Sequence, residues 1–330
     1  MDALIAMSWI EQWGDLWYEP EIPLMIIAMS FFVATSCALV GNYLVLRRIS
    51  LVGDAISHSV LPGIVIAFMI SSSRASWPMF LGALVAGVVT TSVIELIHSR
   101  SRIKQDAAIG ITFSTMFAIG VIMVSAFAGH IDLDLDCVLY GKLEAIPAGA
   151  MSTVFGFEIP RRIVVMGAVT VLVVLLVLLF YKELLVSSFD PGLAASLGLN
   201  PGLVHYLLMC VLSIVVVSAF EAVGAVLVIA MLILPASTAY LLTDRLPLMM
   251  ILSVVHGLIS AIGGIHLAFV LRCPAAAAMV VLGGLIFVAV WFFSPTQGLV
   301  ARWLRRGREV EIPEGPGDAE DYQVALDTNG

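Results

Sequence analysis

Nine stretches of this chain run for about 20 residues with almost no charge, at roughly 22–46, 50–70, 77–98, 107–129, 163–181, 203–220, 222–242, 247–270 and 275–293. A hydrocarbon core about 30 Å thick is crossed by about 20 residues rising 1.5 Å each, so every run is long enough to span a bilayer. Lipid offers no partner to a backbone amide, which restricts a span to a helix or a strand of a closed barrel. The runs are rich in Leu, Val, Ile and Ala without polar alternation, and this selects helices over a barrel. The expected fold is therefore an all-α polytopic membrane protein of nine transmembrane helices, or eight if one run is re-entrant. Composition agrees: 61% of residues are apolar and 12% charged, against about 25% charged in a soluble domain. Pro62-Gly63, Gly110, Gly120 and Pro235 fall inside the runs, so some helices are expected to be kinked or interrupted.

Charge sets the expected orientation. Residues 1–21 carry Asp2, Glu11, Asp15, Glu19 and Glu21 but no Lys or Arg. This segment lacks the basic start of a signal peptide and is expected to be retained, outside the membrane. Trp9, Trp13 and Trp17 repeat every four residues, the pattern of a helix lying in the interface. With the N-terminus outside, nine crossings put Arg47, Arg48, Arg100, Arg102, Lys104, Lys182, Arg245, Arg302, Arg305, Arg306 and Arg308 in the cytoplasm. Arg74, Lys142, Arg161, Arg162 and Arg272 stay outside, and eleven against five satisfies the positive-inside rule.

Two polar stretches interrupt the bundle. The outer one, 130–162, contains His130, Asp132, Asp134, Asp136, Glu144 and Glu158, suited to attracting cations or docking a partner. The inner one, 182–202, is a short helix-like core bounded by Asp190-Pro191 and Asn200-Pro201-Gly202. Residues 296–330 form a cytoplasmic tail whose polar part is expected to be disordered. Net charge is −8, concentrated in the termini and the outer loop, and gives no reason to expect nucleic-acid binding. Cys37, Cys137, Cys210 and Cys273 are scattered without a CxxC pair and read as small apolar residues.

Ionisable side chains inside a span cost about 2.5–3.5 kcal/mol at its centre and mark candidate substrate paths. Asp54, His58, Glu221, His256 and His266 are such residues. Asp54 and His58 stand four apart in GDAISHSVLPG, so on a helix a carboxylate and an imidazole share one face and can converge on one cation. Mixed nitrogen and oxygen donors suit manganese, iron or zinc, and the lack of paired thiolates argues against copper(I). The bland alternative is a helix cap at Asp54 with His58 hydrogen-bonded between helices. Pro62 withholds the amide that would bond to the His58 carbonyl, and Gly63 follows it, so the helix is expected to open there. Glu221 interrupts the run from about 203 to 242. A turn beside it wets the carboxylate at the outer surface; a turn within the bundle points it at the path. His256 and His266, about 15 Å apart along one helix, cannot chelate one ion, and each reads as a packing residue. Glu95, His98 and His205 read as solvated helix ends. No HExxH, GxSxG or GxxxxGK[ST] motif occurs, so any ATP is hydrolysed by another chain.

Three segments carry a resemblance to a known family: GNYLVLRRISLVGDAISHSVLPG at 41–63, FDPGLAASLGLNP at 189–201 and VGAVLVIAMLILPASTAYLLTDR at 223–245. In order and spacing, over about residues 22–295, the chain resembles the zinc/manganese/iron-type permeases of bacterial ABC importers. The resemblance implies a multi-pass permease in the bacterial inner membrane, paired with an identical or sister permease. It also implies two cytoplasmic ATPases, which use the ATP, and an external metal-binding protein. No permanent cofactor is implied; the metal ion is cargo. By that pattern Phe189, Asp190, Pro191, Leu193, Ala194, Leu197 and Gly198 belong to the coupling helix that seats in the ATPase. Asp54 and His58 line the path, and Pro62, Gly63 and Pro235 are places where helices break or gate. Two other functions compete: a permease for a chelated metal or siderophore, and an intramembrane metalloenzyme using Asp54, His58 and a third ligand such as Glu221.

Overall fold

The structure, a computed structural model, describes residues 20–71, 76–127, 143–154, 157–294 and 298. The expected Trp9, Trp13 and Trp17 face, the stretch from His130 to Asp136 and the tail beyond 298 lie outside these residues. Among the described residues, nine spans are long and apolar enough to cross a membrane. They are α1 (Glu21–Leu46), α2 and α3 (Val52–Ser59 and Leu61–Ser71, one span in two pieces), α4 (Ser76–Arg100), α5 (Gln105–Phe127), α6 (Arg161–Leu179), α9 (Pro201–Val223), α10 (Ala225–Leu242), α11 (Leu246–Leu271) and α12 (Ala275–Phe293). Two short helices, α7 (Tyr181–Phe189) and α8 (Pro191–Ser196), follow α6 at one end of the bundle.

Helix α1 is the axis. It packs on α6, α9, α10 and α11, and 67% of its apolar window is buried, against 22% for α5 and α12, which face outward. Apolar side chains gain little from leaving lipid, so contacts between spans depend on close packing and polar links. The Asn42 amide of α1 donates to Ser253 Oγ of α11 at 2.9 Å, and the Thr170 hydroxyl of α6 donates to the Phe32 carbonyl of α1 at 3.0 Å. Beside this group stand α2, α3, α4 and α5, with α9 packed against both sets.

The connection between α9 and α10 is one residue, Gly224, at φ 81° and ψ 165°. That conformation is open only to glycine, because a Cβ would meet its own backbone. Gly224→Ala is expected to cost about 1–3 kcal/mol, read as a lower Tm of the purified protein in detergent. An unchanged Tm would show that the turn relaxes into another conformation.

The described part of the outer loop contains structure that a polar-loop reading did not anticipate. Strands β1 (Met151–Val154) and β2 (Phe157–Pro160) form an antiparallel hairpin, with Met151 opposite Pro160 and Thr153 opposite Glu158. The hairpin leads straight into α6. Just before it, Leu143 and Ile146 are fully buried, and Glu144 Oε1 accepts the Ala275 amide at 2.6 Å. That carboxylate satisfies an orphan donor at the start of α12, where the helix dipole also favours negative charge.

Candidate functional site

Six of the eight residues of α2 are buried: Val52, Gly53, Ala55, Ile56, Ser57 and Ser59. The two that reach open space are Asp54 and His58, with side chains 39% and 29% exposed. The helix thus buries its apolar residues and leaves its two ionisable residues partly exposed. His58 Nε2 lies 3.5 Å from Asp54 Oδ1, too long for a strong hydrogen bond. That separation is short enough for both atoms to lie about 2.1 Å from one divalent ion. The His58 ring is flanked by Phe113 and Phe117 of α5, with centroids at 5.4 and 5.9 Å. These rings limit the directions in which the imidazole can swing. Among the described residues no group of three or more His, Cys, Asp and Glu side chains is placed to hold a metal. The pair is therefore a two-donor set.

The span breaks at Val60, two residues after His58. Pro62 occupies the first turn of α3, where a missing amide is tolerated, and the ladder resumes with the Ile64 amide on the Val60 carbonyl at 3.1 Å. Gly63 lies against the backbone of Gly82, so α3 and α4 cross in direct backbone contact. The break expected at Pro235 is not found: Pro235 is buried inside α10, which continues through it. Tight packing among α1, α11 and α12 holds that helix together despite the missing donor. Glu221 belongs to the last turn of α9, three residues before the Gly224 turn, and its side chain lies outside the described ones. His256 is buried at 4% exposure, and its ring nitrogens find no partner among the described residues. His266 Nδ1 donates to the Ile262 carbonyl of its own helix at 2.7 Å.

The segment at 189–201 is a compact capped unit. Asp190 Oδ1 accepts the Leu193 amide at 2.9 Å, with Pro191 at the first helical position. At the other end of α8, Gly198 adopts φ 82° while the amides of Gly198 and Leu199 bond to the Ala195 and Ala194 carbonyls. This pattern ends a helix sharply. Asn200 Oδ1 then accepts the Leu203 amide at 3.2 Å and starts α9. Only Ala194 of α8 is buried, whereas Phe189, Leu193 and Leu197 are 58%, 50% and 64% exposed. Phe189 at the end of α7 and Leu193 and Leu197 on α8 and its cap thus leave three apolar side chains exposed around one capped turn of backbone.

At the same end lies a polar cluster that sequence reading missed. Arg47 Nη2 donates to Ser187 Oγ at 2.8 Å, Nε to Ser188 Oγ at 3.1 Å, and Nη1 to His205 Nδ1 at 3.2 Å. His205 Nε2 in turn lies 3.1 Å from Glu95 Oε2. Burial lowers the Arg47 pKa, and Tyr43 opposes the shift. The guanidinium nevertheless remains charged. Glu95 and His205 had read as solvated helix ends, and partners more than 100 residues apart leave no local trace.

The comparisons with known proteins identify the family and the fold. The ABC 3 transport family matches residues 21–294. The chain is 42% identical over 281 residues to the manganese transport system membrane protein MntD of Bacillus subtilis, covering 85% of this chain and 95% of that one. It is 44% identical over 279 residues to the zinc transport system membrane protein TroD of Treponema pallidum, covering 84% and 76%. Among solved structures, PsaBC from Streptococcus pneumoniae in complex with Fab superposes with a TM-score of 0.73 at 31% identity, covering 90% of this chain and 99% of that one. On sequence and fold together, the chain belongs to the ABC 3 transport family.

Proposed function

We propose that this chain is the membrane-spanning permease subunit of an ATP-driven importer of divalent transition-metal ions, of the manganese, zinc or iron type. The observation that carries the reading is the Asp54–His58 pair, the two positions of α2 that are not buried. Structural metal sites hold their ion with about four protein ligands. Two donors bind transiently, and conduction needs a site strong enough to enter and weak enough to leave. The carboxylate offsets cation charge, the imidazole adds a nitrogen donor, and water or a second permease copy completes the shell.

The Arg47 end is cytoplasmic, the N-terminus is outside, and the protein sits in the bacterial inner membrane. A separate ATPase binds at α7–α8, hydrolyses the ATP and drives alternating access. An external metal-binding protein delivers the ion, and the permease pairs with a second copy or a sister subunit. The relatives named for manganese and zinc transport support the cargo class.

Uptake into proteoliposomes holding the complete transporter tests the cargo directly. Supplied with a radiolabelled divalent ion and a chelator carrying a different label, the vesicles are expected to accumulate the ion and exclude the chelator. Entry of both labels in equal amounts would replace the free-ion reading with transport of a chelate.

A further inference from the structure

We infer that Arg47 is the positioning residue that carries movement of the ATPase-docking segment to the Asp54–His58 pair, an inference that rests on reading α8 as that docking segment. Three side-chain nitrogens of one guanidinium bond to groups on two other helices: Ser187 and Ser188 on α7, and His205 on α9. A guanidinium has no lone pair, so His205 Nδ1 must accept from it, and the neutral ring then carries its proton on Nε2. That proton faces Glu95 Oε2 of α4 at 3.1 Å. Helices α1, α4, α7 and α9 therefore meet at Arg47 and its immediate partners.

The connection onward to the pair is short and stiff. From Arg47 the chain reaches α2 through a turn in which the Arg48 amide bonds to the Val45 carbonyl at 3.0 Å, Ile49 to Leu44 at 2.9 Å, and Val52 to Ile49 at 3.1 Å. Arg48 sits at φ 60°, a left-handed conformation uncommon for a side-chain-bearing residue. Ile49 and Val52 are buried at 3% and 2% exposure and fasten both ends of the turn into the bundle. Ser187 and Ser188 lie directly before Phe189 and the cap of α8. A displacement of α7–α8 pulls on the guanidinium, and the guanidinium is covalently seven residues from Asp54.

A basic residue at the C-terminal end of α1 is also favourable to the helix dipole. That effect needs only positive charge, whereas the link needs the planar fork, which lysine lacks. The two roles are therefore separable by substitution. Full transporters carrying Arg47→Lys, Arg47→Ala, or Ser187→Ala with Ser188→Ala are reconstituted, and the metal moved per ATP hydrolysed is measured beside the amount of ATPase bound.

The inference predicts that ATPase binding persists while metal moved per ATP falls at least tenfold in both Arg47 variants and severalfold in the serine pair. Wild-type coupling in Arg47→Lys overturns it, since charge alone then suffices. Loss of ATPase binding in step with transport also overturns it, because Arg47 then only shapes the docking surface. If Arg47 variants do not assemble, an unchanged ratio in the serine pair is decisive against the link. Failure of the docking reading is seen separately, as an ATPase that stays bound when Leu193 and Leu197 are replaced.

Discussion

Asp54→Ala and His58→Ala are each expected to lower metal uptake by at least about 100-fold, since losing even an outer-shell partner of a metal ligand costs 10–100-fold. Each substitution removes one of the two donors that α2 presents. Assembly is expected to survive. An ionisable group in a span costs about 2.5–3.5 kcal/mol to insert, so alanine removes a liability. The favourable effect of Asp54 on the first turn of α2 is smaller, about 0.3–1 kcal/mol. Each variant is therefore expected to co-purify normally with its ATPase while transporting almost no metal. Wild-type uptake would remove the pair from the path.

The second large effect is expected at α8. Replacing Leu193 and Leu197 together with Asp should release the ATPase, because buried interface anchors cost about 2 kcal/mol or more when lost, roughly 30-fold in affinity. Two new carboxylates add a desolvation cost. Neither leucine contributes to the core, being half or more exposed. The caps at Asp190, Gly198 and Asn200 stay intact, so the segment keeps its shape. Quantitative co-purification reads the outcome, and undiminished ATPase would show that it docks elsewhere.

The spans were legible in the sequence because bilayer thickness imposes a length and lipid forbids an unpaired backbone. The capped unit at 189–201 was legible for a related reason: Asp-Pro and Asn-Pro-Gly act within one turn of where they stand. The Asp54–His58 pair needed only helical spacing to be found. What sequence could not give is which face of α2 is buried, since that depends on α4, α5 and α9 packing around it. Pro235 shows the same limit in reverse, a local breaker overruled by its neighbours. The Arg47 cluster joins residues from four helices, and the hairpin at 151–160 has strands of only four residues each, too short for a clear alternating pattern.

The central claim is that His58 and Asp54 touch the cargo as it crosses. Electron spin-echo spectroscopy of Mn(II) held in the transporter, with ATP hydrolysis blocked, reads nitrogen coordination at the metal. Wild-type protein is predicted to show coupling to imidazole nitrogen that disappears in His58→Ala and persists in His256→Ala. Coupling that survives loss of His58 would contradict the account.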